Sequence, residues 1–276
     1  MISPQTVTQS GWRAELDLEF VYESGRTHLA RRRHVGPLVV QRTFHPEDHV
    51  CHAYIVHPPG GIVGGDRLQM TVTAQTGSHV LLTTPAAGKF YRSGGQQAEQ
   101  RQRMFATAAA LEWLPQENIY FGDTLARTST CVKLQGNARF IGWEIGCYGR
   151  PASGDVFKSG QVAQSMELWR DDRPLIWDHV HVDGASQIMS SRWGLADFTT
   201  LGTLLAYPAS DALVQEVRAI QLEAGLISCT VADNVLVCRA MHRQVGAVKQ
   251  ALIAAWEILR PAILQRRAMH PRIWAT

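Results

Sequence analysis

The sequence predicts a mainly β fold of the α+β class, with many short strands and two helices near the C-terminus. Three observations lead there. Trp12, Ala14, Leu16, Leu18 and Phe20 alternate with Arg13, Glu15, Asp17 and Glu19, the period of two that a half-buried strand imposes. Apolar spacing of three and four, the mark of an amphipathic helix, is confined to segments beyond residue 210. The element order is not βαβα, which argues against a doubly wound parallel sheet.

In chain order, short runs at 38–41 and 52–57 follow the first strand. Leu68, Met70, Val72 and Ala74 repeat the alternation, Gly77 interrupts it, and an apolar run at 79–82 follows, so that the two runs suggest a hairpin. Further strands are expected at 103–107, 127–134, 139–148 and 161–169. The last meets a strand at 175–182 across Asp171-Asp172-Arg173-Pro174, which is turn chemistry. Ser210 or Asp211 can cap a first helix whose apolar positions are Leu213, Val214, Val217 and Ile220, with Gly225 as its stop. Val245, Val248, Leu252, Ala255, Trp256 and Leu259 line one face of a second helix, which Pro261 should end. Between the helices, runs at 226–230 and 235–240 flank Asp233-Asn234, a second hairpin. With no composition shift, flexible linker or fixed repeat, residues 1–276 are expected to form one domain.

Of the 276 residues 45% are apolar, while 27 basic and 24 acidic residues make only 18% charged. Soluble domains carry about 25% charged residues, so the surface is thin in charge, and a disordered chain is excluded. A net charge of only +3 is too mild and too evenly spread to argue for a nucleic-acid partner. Every apolar run stops short of the roughly 18 residues that span a bilayer, and the polar start lacks the order of a leader, so a cytoplasmic protein with no membrane contact is expected. Cys51, Cys131, Cys147, Cys229 and Cys238 are odd in number and include no CxxC pair, which signals reduced, buried thiols rather than disulfides or structural zinc.

The most unusual stretch is His57-Pro58-Pro59-Gly60-Gly61-Ile62-Val63-Gly64-Gly65-Asp66. Two prolines and two glycine pairs specify a rigid loop with positive φ angles. It is not a phosphate loop, because no Gly-Lys-Ser/Thr and no helix pattern follows. In Leu81-Leu82-Thr83-Thr84-Pro85-Ala86-Ala87-Gly88-Lys89-Phe90-Tyr91-Arg92-Ser93 a strand runs into a polar, aromatic tip. There Lys89, Tyr91 and Arg92 suit contact with an anionic partner or serve as ordinary solvated loop residues. Strand alternation puts Glu112 on the face opposite Leu111 and Trp113, either buried with a partner or exposed. His45, Asp48, His49, Cys51 and His52 lie within eight positions, but Pro46 forbids the helix that would align His45 with His49. His45, His49 and His52 are therefore weak metal candidates, and no high-affinity site is expected. No Gly-x-Ser-x-Gly elbow is present and no catalytic residue is identified.

Five segments together resemble the UreD family of urease accessory proteins, called UreH in some organisms: HPPGGIVGGD (57–66), LLTTPAAGKFYRS (81–93), LEWLPQENIYF (111–121), Gly149-Arg150, and PRIWAT (271–276). The resemblance implies a helical stack of strands with two helices. It implies a non-enzymatic maturation factor that binds apo-urease, UreF and UreG, with two copies held together through a UreF dimer. It also implies that nickel passes as transient cargo, with no tightly bound cofactor, through an internal tunnel toward urease while UreG hydrolyses GTP. A tunnel for such a dication should be lined by oxygen donors weak enough to release it. On that logic Asp66, Glu112, Asp123, Glu144 and Asp155 are the path candidates, each with a salt bridge or hydrogen bond within the fold as the alternative. Asp155 follows Gly154 where the family more often has Gly-Glu. A competing expectation is a nickel store at His45 to His52, and fold class alone suggests a polymer-acting hydrolase or lyase, a poor warrant. A subunit that buries faces against partners should be poorly soluble alone and rescued by co-expression with UreF.

Overall fold

A computed structural model describes residues 11–275; the polar start at 1–10 and Thr276, last residue of the terminal motif, lie outside the described residues. In chain order the strands are β1 (Arg13–Glu23), β2 (Arg26–Val35), β3 (Val39–Glu47), β4 (Val50–Val56), β5 (Arg67–Ala74) and β6 (His79–Thr83). There follow β7 (Gly88–Phe90), β8 (Ala98–Thr107), β9 (Ala110–Trp113), β10 (Asn118–Tyr120), β11 (Thr124–Gln135), β12 (Arg139–Arg150) and β13 (Asp155–Val156). The remainder are β14 (Gly160–Arg170), β15 (Arg173–Asp183), β16 (Thr200–Tyr207), helix α1 (Asp211–Arg218), β17 (Leu226–Ala232), β18 (Val235–His242) and helix α2 (Val245–Leu264).

From β4 to β14 the chain winds between two sheets. β4, β6, β9 and β12 lie side by side and parallel in one, and β5, β8, β11 and β14 do so in the other. The smaller sheet has the order β15-β14-β11-β8-β5-β1-β2; the larger runs β17-β18-β16-β12-β9-β6-β4-β3, with β7, β10 and β13 attached beside it. This is the helical stack of strands that the resemblance implies, closed by two helices.

The alternation in β1 is explained by this arrangement. Ala14, Leu16, Leu18 and Phe20 are buried between the sheets, whereas the intervening charged residues face outward. A second apolar core joins the outer face of the larger sheet to the helices, through Trp143, Ile145, Leu204, Leu252, Trp256 and Leu259. β12 supplies both cores, since its alternate residues Phe140 and Tyr148 face inward while Ile141, Trp143 and Ile145 face α2.

The expected hairpin at 68–74 and 79–82 does not form. β5 pairs in parallel with β1 and β8, and β6 pairs with β4 and β9 in the other sheet. The link cannot fold back because its amides bind neighbouring turns: Gln75 N donates to Phe20 O and Gly77 N to Ala108 O. The other two turns are as expected. Asp171 and Asp172 (φ 46° and 62°) and Asp233 and Asn234 (φ 48° and 59°) make the paired left-handed conformations of tight two-residue hairpins.

Two helix ends also differ. α1 closes at Arg218 rather than near Gly225, and Ser210 begins it without a side-chain cap. Pro261 lies inside α2, which continues to Leu264. A proline costs a helix its own N–H bond and crowds the carbonyl four residues back, a defect that the final turn absorbs because little helix remains to be displaced. β2 and β16 are strands that carry no alternation and escaped the sequence pattern.

Candidate functional site

The common direction of the parallel strands decides where the motifs meet. β4, β6, β9 and β12 run the same way, so their C-terminal ends and the loops after them share one end of the larger sheet, and four of the five motifs fall there. Ile62 N donates to Lys89 O (2.7 Å) and Tyr91 N to Ile62 O (2.9 Å), which zips the Pro-Gly loop to the Lys89 loop. Gln116 N donates to Thr84 Oγ1 (2.9 Å), and Gly88 N to Glu117 O (2.9 Å), which adds the third. The terminal motif reaches the same strands from outside: Trp274 packs on Trp143 and Trp256 and donates Nε1–H to Thr83 Oγ1 at 3.0 Å.

The glycines of the first motif are required by close approach. A Cβ on Gly64 would lie 2.7 Å from Gln96 O, and one on Gly61 would lie 2.0 Å from the Tyr91 ring. Pro58, Pro59 and Gly60 form the outer turn, with Gly60 at φ 76°, and Gly65 takes φ 92°. Asp66 closes the loop from inside. It is buried, with Oδ1 accepting from Trp12 N (2.8 Å) and Oδ2 from Val63 N (2.9 Å).

Between the sheets behind this rim is a cavity of about 350 Å³, bordered by Pro58, Gly60, Ile62, Lys89, Gln100 and Trp113 among others. A second cavity, of about 20 Å³, is bordered by Thr128, Thr130, Gln164, Asp178 and Thr203. Glu144 borders both. Its Oε1 accepts Trp113 Nε1–H at 2.8 Å and Thr130 Oγ1–H at 2.5 Å, two neutral donors. Burial raises its pKa, and the bonds from Thr130 and Trp113 offset this only in part. Its neighbours on the same face of β12 are Gly142 and Gly146, whose missing side chains make room for the Phe140 ring and for Gln164 and Tyr148. Gln100 adds a buried Oε1 without a hydrogen-bond partner at the cavity wall. Further along β12, Tyr148 Oη donates to Gln164 Oε1 (2.5 Å), and burial lifts the pKa of both Tyr120 and Tyr148.

The other sequence candidates lie elsewhere. Glu112 is fully buried, but on the α2 side of its sheet. Its Oε2 accepts from Trp256 Nε1 (2.7 Å) and Arg260 Nε (3.0 Å), and its Oε1 bonds His79 Nε2 (2.8 Å). Burial works to raise its pKa, yet the His79 hydrogen bond and the Arg260 charge bring it down to about 2. Asp123 pairs with Arg92 at 3.3 Å on the exposed rim, and Asp155 with Arg150 at 2.9 Å. Lys89 stands at the cavity mouth, and the Tyr91 ring meets Phe121 edge-on at 4.9 Å.

The histidine group is dispersed. His45 Nε2 bonds Thr27 O (2.7 Å), His49 Nδ1 bonds Gly25 O, and His52 Nε2 bonds Glu47 Oε1 (2.8 Å). Among the described residues no three His, Cys, Asp or Glu side chains gather in a metal-holding group. Sequence reasoning missed Arg260 and Glu47, the other members of the Glu112 network, as well as the inward glutamines and threonines. Strand alternation on β8 and β11 was the available signal for Gln100, Gln102, Thr128 and Thr130. No described helix is long and apolar enough to cross a membrane.

Comparison with known proteins matches residues 12–275 to the family described as UreD urease accessory protein. The urease accessory protein UreD of Citrobacter koseri is 41% identical over 279 residues, covering 100% of this chain and 95% of that protein. The UreD of Klebsiella aerogenes is 41% identical over 270 residues, covering 97% and 98%. The UreD of Aliivibrio fischeri is 38% identical over 282 residues, covering 98% of each.

Proposed function

The chain belongs to the UreD family of urease accessory proteins, and from that premise we propose that it is a non-enzymatic scaffold which binds apo-urease, UreF and UreG and passes nickel between its two sheets. The observation that carries the conduit is Glu144, a half-buried carboxyl that accepts from neutral donors and borders both cavities. A carboxylate compensated by arginine holds no charge to spare for a passing dication, and Glu112 is in that condition. Glu144 has no such partner. Beside it stand Gln102, Thr128, Thr130, Gln164 and Thr203, whose amide and hydroxyl oxygens are weak ligands for a borderline cation and release it readily. Thiolates would retain it, and none of the five cysteines borders either cavity.

In this mechanism Lys89 and the Pro-Gly loop form a mouth near partner-contact residues Tyr91 and Arg92, and the cation moves inward past Glu144. GTP hydrolysis belongs to UreG.

The test is urease activation in a reconstituted system with UreF and UreG. Glu144→Gln is expected to keep the complex on size exclusion while slowing nickel loading of urease. Unchanged activation by this variant overturns the conduit, and failure of the wild-type chain to associate with UreF and UreG overturns the scaffold. A nickel store at His45 to His52 is the competing reading, and the separate acceptors of the three rings weigh against it. Calorimetric nickel binding lost on joint replacement of His45, His49 and His52 would restore it.

A further inference from the structure

Away from the cavity, β17 and β18 pair antiparallel with Cys229 directly opposite Cys238. Opposed residues on antiparallel strands hold their Cα atoms about 4.5–5.5 Å apart, within the roughly 4.4–6.8 Å that a disulfide spans. Both side chains lie on the face covered by the helices; Cys229 is the single buried residue of β17, and Cys238 is fully buried. The two thiols hydrogen-bond to each other. Arg218, last residue of α1, donates Nε–H to Cys229 O at 2.9 Å and brings its guanidinium beside that thiol. β17 is the terminal strand of the larger sheet and α1 is only eight residues long, so this corner opens at lower cost than the sheet centre.

We propose that Cys229 and Cys238 are a peroxide-responsive dithiol that closes to an intrachain disulfide. Cys229 is the attacking member. The hydrogen bond from Cys238 lowers its pKa against the effect of burial, and Arg218 lowers it further, whereas the Cys238 thiol is pushed far up. The remaining cysteines are worse nucleophiles: burial lifts Cys51 to about 12 and raises Cys131 and Cys147. The Cys229 thiolate attacks one oxygen of hydrogen peroxide, forming an S–O bond as the O–O bond breaks and the other oxygen leaves as hydroxide, which the displaced thiol proton converts to water. Cys238 sulfur then attacks the resulting sulfenic acid, the S–S bond forms, and the hydroxyl leaves with the Cys238 proton as a second water. Two thiols are oxidised and one peroxide is reduced. The disulfide ties the terminal strand β17 covalently to β18.

The test treats the reduced full chain with hydrogen peroxide, quenches it, unfolds it in iodoacetamide and digests it for mass spectrometry. The expected product is a linked pair of peptides carrying Cys229 and Cys238, two hydrogens lighter than the reduced pair and lost in Cys229→Ser. Cys238→Ser is expected to accumulate a dimedone adduct on Cys229. Recovery of both residues as alkylated thiols while Cys131 is oxidised, or a disulfide between any other pair, overturns the proposal. The wild-type peptides decide the question alone if a variant does not fold.

Discussion

Arg260 and Glu112 meet with neither side chain exposed to solvent, the guanidinium Nε lying 3.1 and 3.0 Å from the two carboxylate oxygens. Arg260 also grips both oxygens of Glu47 at 2.8 Å, so one buried cation answers two carboxylates, with His79 and His52 each completing one side. This pins α2 across β9 and β3. Arg260→Met strands both carboxylates and is expected to cost about 3–5 kcal/mol, the range for removing one partner of a buried pair. Glu112→Gln leaves Arg260 paired with Glu47 and should cost less. Urea unfolding checks this as a fall in midpoint at constant slope; equal stability of Arg260→Met and the native chain sinks it.

The same network sets a response to acid. The folded pKa of Glu112, about 2, lies below its ordinary value of 4.5. A depressed carboxylate contributes stability that is fully present above the unfolded value and is lost as pH falls toward the folded one. The unfolding midpoint of the native chain is therefore expected to drop between about pH 4.5 and pH 2 more steeply than that of Glu112→Gln. Parallel curves for the two proteins would show that Glu112 does not carry the dependence.

Glu144 behaves oppositely. Burial holds its pKa above the usual carboxylate value, so the folded chain keeps its proton longer than the unfolded chain. Stability is present below the unfolded pKa and declines as pH rises through the folded one. Glu144→Gln keeps acceptors for Trp113 and Thr130 without the charge, and is expected to be more stable than the native chain at neutral pH even while, under the proposed conduit, it slows nickel loading. A variant that is less stable at neutral pH would mean that the carboxylate has a compensating partner.

What the sequence made legible was whatever repeats locally. β1 shows its alternation because Arg13, Glu15, Asp17 and Glu19 face water while their neighbours face the core. β16 is buried at almost every position between β12 and β18, so no period marks it. β2 hides for the opposite reason: its Arg31-Arg32-Arg33 run lies on an edge strand exposed on most of its length. Pairing was illegible for β5 and β6, since their partners are set by strands a full winding away. The motif loops were visible from their prolines and glycines, but the partner of Glu112 lies 148 residues along the chain. Nothing local separates a neutralised carboxyl such as Glu112 from an uncompensated one such as Glu144.

The Pro-Gly loop permits a steric prediction. A methyl on Gly64 would press on Gln96 O, a backbone atom that can yield only if the Pro-Gly loop parts from the segment leading into β8. Gly64→Ala is expected to cost about 1–3 kcal/mol, as overpacking does. On Gly61 the clashing atoms belong to the Tyr91 side chain, which is partly exposed and can turn away, so Gly61→Ala should be the milder change. Thermal unfolding of the two variants ranks them, and the reverse order would refute a rigid seam between the loops.

Parallel sheets are nearly always covered on both faces, yet the outer face of the smaller sheet is met by neither helix, since α2 lies on β12, β16 and β18 and α1 on β17. Across it, Lys133 stands 5.5 Å over the Trp169 ring, Trp169 lies 6.5 Å from Trp177, and Trp177 is 60% exposed. Phe105, opposite Lys133 in the neighbouring strand, extends the patch. A cluster of exposed aromatic rings of this kind drives self-association unless a partner occupies it. The chain expressed alone is therefore expected to associate with rising concentration, and co-expression with UreF to rescue it. Trp177→Thr, which keeps a β-branched residue on the strand, should raise the soluble fraction of the lone chain. Light scattering measures both effects. A monodisperse native chain at high concentration would show that this face tolerates water, whereas rescue by UreF without improvement from Trp177→Thr would move the sticky surface elsewhere, to the exposed Trp12 or Trp193.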